Sequence, residues 1–117
     1  MTVTLDPDLV VSLREMLAAQ PPEAVPLTYQ QAAQRLGLEP PHTIHRLALA
    51  LEALMQEDAA AGRPFIAALV VSRSRQGLPA PGFFDTAIAL GRLPPDPPDR
   101  AACYQAEFDA AVKYYCR

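Results

Sequence analysis

Apolar positions along this chain fall into helical stripes separated by prolines and glycines, with one continuously apolar run near the middle. The longest stripe lies between Thr43 and Ala61. There Ile44, Leu47, Ala48, Leu51, Leu54 and Met55 share one face at a spacing of about 3.6 residues, and His45, Arg46, Leu49, Glu52, Ala53 and Gln56 lie away from it. Gly62-Arg63-Pro64 stops that helix. Two residues break the pattern. Leu49 is apolar on the mixed face, and Asp58 falls on the inner stripe, where the periodicity gives no reason for a charge.

A shorter helix precedes it, from Tyr29 to Leu36. Thr28 and Gln31 have the spacing of a capping box, in which each side chain takes the other residue's backbone amide. Gly37 supplies the left-handed stop, and Leu38-Glu39-Pro40-Pro41 makes the connection, with a proline suited to the first turn of the next helix. Helix, turn and longer helix form a helix-turn-helix pattern.

On the N-terminal side, Asp6-Pro7 opens a helix over about residues 5–20, with a hydrophobic staple between Leu5 and Val10 and a buried stripe of Leu9, Leu13, Met16 and Leu17. Val25-Pro26-Leu27 reads as a short extended segment. It is the natural strand partner for Phe65–Ser72, whose run Ile66-Ala67-Ala68-Leu69-Val70-Val71 is apolar throughout, as in a strand covered on both faces. Ser72 to Gly77 reads as the tip of a wing, and Leu78 to Gly82 as its return. A short helix from Phe83 to Leu90 follows, with Phe84, Ala87 and Ile88 inward. After the stiff Leu93–Pro98 linker, Asp96 or Asp99 caps a last helix on which Tyr104, Phe108, Val112 and Tyr115 share an aromatic face.

The expected fold is therefore mainly α (α+β): a winged helix-turn-helix with a small sheet of two to three strands and an extra C-terminal helix. Residues 1–117 make one domain, divided into an N-terminal helix (5–20), the helix-turn-helix plus wing (27–82) and a C-terminal helical extension (83–117).

Composition narrows the function. The formal net charge of −3 argues against indiscriminate nucleic-acid binding, which depends on phosphate neutralisation. The stretch from Arg63 to Arg92 is nevertheless locally positive, with Arg63, Arg73, Arg75 and Arg92 against Asp85 alone. Helix-turn-helix proteins place the start of the second helix in the major groove and the wing on the backbone. On that geometry His42, Thr43, His45 and Arg46 are the candidates for base edges, and Arg35, Arg73 and Arg75 for phosphates.

The alternative is a protein-interaction module, an adaptor or inhibitor, with Leu49, Tyr104, Phe108 and Tyr115 as its interface; the aromatic face could equally serve a homodimer. His42 and His45 lack a convergent cysteine or carboxylate, so no metal site is expected, and no cofactor motif is present. Ser72, Ser74 and Thr86 have no histidine near them in sequence, and both histidines fall at the start of the second helix, so an enzyme is not expected. Cys103 and Cys116, if on one helix, stand roughly 20 Å apart and read as reduced thiols. Residues 1–6 lack a signal-peptide pattern and no run is long enough to span a bilayer, so the expected location is the cytoplasm.

The chain also resembles a family of small bacterial and phage winged-helix-like modules that occur alone or beside nuclease domains. The residues carrying the resemblance are Leu27-Thr28-Tyr29 with Ala33 and Gly37, then Ala68 to Val71, the Gly77-Leu78-Pro79 and Pro81-Gly82-Phe83 element, and a last helix with Glu107, Val112, Tyr114 and Tyr115. It covers about residues 27 to 116. It implies a DNA-associated role and carries over no activity.

Overall fold

The computed structural model describes residues 5–72, 77–95 and 99–116. Among these are five α-helices: α1 (Pro7–Ala18), α2 (Tyr29–Arg35), α3 (Thr43–Ala61), α4 (Pro81–Ala89) and α5 (Arg100–Tyr115). Two short strands, β1 (Leu27–Thr28) and β2 (Val70–Val71), complete a mainly helical fold.

Local chemistry sets most of the helix ends. The Asp6 carboxylate accepts from the Asp8 and Leu9 amides at the start of α1, and Asp99 accepts from Ala102 at the start of α5. Both halves of the Thr28/Gln31 capping box are formed at α2. Gly37 and Gly62 take φ of +68° and +69°, which lets Leu38 N–H reach Ala33 O and Arg63 N–H reach Asp58 O across the helix ends. The start of α3 differs. His42 occupies its N-cap in the left-handed region, with φ 61° and no side-chain capping bond.

α3 is the central element. It packs against α1, α2, α4 and a 3-10 turn at Ile66–Leu69, while α5 covers that turn from the other side. The core joins Leu9, Leu13 and Leu17 of α1, Leu47, Leu51 and Leu54 of α3, the whole Phe65–Val71 run, and Phe83 and Phe84 of α4.

Several details differ from the sequence expectation. Most of the Phe65–Ser72 run is not a strand: Ile66–Leu69 turns as a 3-10 helix and only Val70–Val71 is extended. A continuous apolar run is compatible with either form once it is buried on all sides. Here the Phe65 and Ile66 amides, which a ladder would have used, donate instead to the carboxylates of Glu107 (3.2 Å) and Asp58 (3.0 Å). The sheet is two-stranded and parallel, Leu27 opposite Val70 and Thr28 opposite Val71, so Leu27–Thr28 rather than Val25–Leu27 is the partner. Ser72 N–H donates to Leu78 O (2.9 Å), which brings the return segment beside β2 without forming a further strand among the described residues.

α4 starts at Pro81, two positions before the expected Phe83, because proline suits a helix's first turn. Of the staple pair, Val10 is buried and Leu5 is 48% exposed. Ile44, read as part of the inner stripe, is 42% exposed.

Candidate functional site

The first turn of α3 is exposed at Ile44 and His45, and burial begins at Leu47. Rows four residues apart link Ile44, Ala48 and Glu52, and His45 with Leu49; Ala48 and Glu52 turn toward a cavity beside α4, which leaves Ile44, His45 and Leu49 as the outer side. Ile44 and His45 are exposed; Ala48, Leu49 and Glu52 are half-buried. That outer side is apolar with one histidine.

The residues singled out for base edges and phosphates are placed as follows. His42 and His45 are exposed and Thr43 is half-buried at the start of α3. Arg46 is engaged within the fold: its NH2 donates to Glu39 O (2.6 Å), and its Nε is buried without a partner among the described residues. It fastens the connection between α2 and α3. Arg35 is exposed at the end of α2, where NH1 donates to Gln20 Oε1 (3.1 Å) and ties α2 to the end of α1. Arg73 and Arg75 lie outside the described residues.

The aromatic face of α5 points inward. Tyr104 is 4% exposed, its hydroxyl donating to Ala68 O at 2.8 Å and its ring edge-on to Phe83. Phe108 is half-buried beside Tyr104. Tyr115 donates to Pro64 O at 2.7 Å. Leu49 of α3 is thus the residue of the proposed partner interface that is not packed against the core.

Arg14, Arg63 and Arg92 serve the fold. Asp58, fully buried, is held by Arg14 (2.8 Å) and Arg63 (3.1 Å) and takes the Ile66 amide. Arg14 also meets Glu57, and Arg92 pairs with Glu107 at 2.9 Å while donating to Arg63 O and standing 4.1 Å over the Phe65 ring. These contacts lock α1, the end of α3, the 3-10 turn and α5 together. A shallow cleft of about 470 Å³ opens at Arg63, Arg92 and Glu107, but each of these charges already has a partner. The charge on the inner stripe is therefore explained by Arg14, far away in sequence, together with Arg63 just past the end of the same helix.

This network reaches Tyr115. Burial, with the nearby Asp58 charge adding to it, pushes its hydroxyl up to about 12, and Arg14 partly opposes the shift. The folded-state value is raised above the ordinary 10. The contribution of the neutral phenol is therefore complete below the unfolded value and lost as pH rises toward the folded one. Thermal melts across that alkaline interval are expected to show a falling midpoint, and Tyr115→Phe is expected to fall less steeply. Identical slopes would remove Tyr115 from the explanation.

A second feature adjoins α3. A cavity of about 150 Å³ lies between Tyr29, the Ala48–Met55 part of α3, Val70 and the start of α4, with Glu52 at its edge. Sequence periodicity could not find it, because four separated segments build it.

Among the described residues no group of three His, Cys, Asp or Glu side chains is placed to hold a metal ion, and no helix is long and apolar enough to cross a membrane. Cys103 and Cys116 are both free thiols. Comparison with known protein families, curated proteins and solved structures finds no match.

Proposed function

We propose that this chain is a non-enzymatic binding module, a winged-helix variant whose α3 outer face docks a protein partner. The observation that carries the reading is the character of that face. Ile44 is 42% exposed and Leu49 half-buried, and the adjacent Arg46 is committed to the Glu39 carbonyl. A helix presenting apolar side chains in rows of four fits a complementary groove on a protein. Duplex DNA instead calls for cations aimed at phosphates. Arg14, Arg63 and Arg92 are ion-paired within the fold, and the chain as a whole is acidic.

Sequence-specific DNA binding is the second reading, favoured by one feature: His42, Thr43 and His45 stand at the start of α3, which follows the capped helix α2, and both histidines are exposed. In that reading they meet base edges while Arg35, Arg73 and Arg75 meet phosphates.

Site-specific photo-crosslinking tests the docking face. A photoreactive residue at Leu49 is expected to give a discrete protein adduct in cells of the source organism, and one at exposed Gln105 on α5 to give none. Adduct formation should drop when Ile44→Asp is added to the Leu49 crosslinker. Adducts of equal yield from both positions, or from both Ile44 forms, would reject the face.

A further inference from the structure

The cavity beside α3 has a feature that the docking reading leaves unused. Its walls are mostly apolar, with Leu51, Met55, Val70 and Phe83, yet Glu52 lines it too. Glu52 is half-buried and makes no hydrogen bond or ion pair among the described residues. The other carboxylates drawn into the structure are matched: Asp58 to Arg14 and Arg63, Glu57 to Arg14, Glu107 to Arg92. The backbone of Gly82, in the first turn of α4, lies close by; a Cβ built there would stand 3.6 Å from Glu52 Oε1. The partial positive charge of that helix end suits a carboxylate but leaves the side chain without a partner of its own.

We propose that this cavity is a binding site for a small organic cation, an aryl or branched-alkyl amine. Its hydrocarbon body would occupy the space among Leu51, Met55, Val70 and Phe83, and its ammonium group would meet Glu52. Size and chemistry both select this class. An apolar cavity of about 150 Å³ accommodates a benzene-sized body, and the volume here is about 150 Å³. A half-buried carboxylate gains most from a donor that carries positive charge. A lysine side chain offers the charge without the bulk to fill the walls, which favours a free amine over a partner's residue. The inference does not rest on the docking reading, and its test contains no partner protein.

Benzylammonium chloride and benzene are the probes, titrated into the whole protein and followed by the Met55 methyl resonance. Benzylammonium is expected to bind the wild type, and Glu52→Gln to weaken it by about fivefold while leaving benzene binding unchanged. Gly82→Leu is expected to block both probes by filling the mouth; Ala48→Phe, from the facing wall, serves the same purpose if Gly82→Leu fails to fold. The assignment is overturned if benzylammonium leaves the Met55 methyl unmoved at about 10 mM, or if Glu52→Gln binds it as tightly as the wild type. Binding that persists in the mouth-filling variant would overturn it as well.

Discussion

Replacing Asp58 with alanine is expected to destabilise the protein by about 3 kcal/mol. The carboxylate is fully buried, and its removal strips Arg14 and Arg63 of their shared partner and the Ile66 amide of its acceptor. Breaking a buried pair costs about 3–5 kcal/mol when the remaining charge is trapped. Here the side chains of Arg14 and Arg63 are 24% and 35% exposed, so both can turn partly to water and Arg14 keeps Glu57, which places the cost at the low end. The buried Ile66 amide cannot escape in the same way, and an unsatisfied amide alone costs about 1–3 kcal/mol. Asp58→Asn keeps an acceptor for that amide and should cost distinctly less than alanine. Urea unfolding reads both: the midpoint should fall in the order wild type, Asn, Ala, with an unchanged slope. An alanine variant within about 0.5 kcal/mol of wild type would mean that the network is ornamental.

The second large effect is expected at Phe65, where alanine should cost about 4 kcal/mol. Its ring is fully buried, edge-on to Phe83 at 6.0 Å and capped by the Arg92 guanidinium at 4.1 Å. Truncation leaves a void between the 3-10 turn and α4 and removes the face on which Arg92 rests, so the cavity and cation–π contributions act together. Phe65→Leu retains most of the volume and is expected to cost about 1.5 kcal/mol or less. Equal losses in the two variants would show that backbone disturbance, not the lost ring, sets the cost. Thermal unfolding of both variants beside wild type decides between them.

Both sites show what the sequence could and could not convey. Helix ends were legible because their signals are local: the Asp6, Thr28 and Asp99 caps and the Gly37 and Gly62 stops act within a few residues. The inner face of α3 was legible too, since periodicity reports direction. It does not report where along a helix the burial begins, so Ile44 has the right phase and is still 42% exposed. The Ile66–Leu69 turn was misread as strand because a run buried on every side has no periodicity to betray its backbone form.

Arg14 as partner of Asp58, and Arg92 as partner of Glu107, lie too far along the chain for any spacing rule, while Arg63 is close to Asp58 but beyond the helix stop. Asp58 alone left a trace, as a charge out of phase with its stripe. Candidate function residues fared unevenly for the same reason. A count of arginines says nothing about which are engaged, and Arg46 looks available until its bond to the Glu39 carbonyl is seen.

The central claim is that the α3 face serves a protein and not a duplex. Fluorescence anisotropy with a mixed pool of duplex DNA, at about 50 and 200 mM salt, tests it most directly, with the wild type and the Arg73→Glu/Arg75→Glu double variant run in parallel. The account predicts no saturable binding by either protein at either salt concentration. Tight wild-type binding that weakens steeply with salt and vanishes in the double variant would contradict it, and would make the His42–Arg46 start of α3 a DNA-reading element.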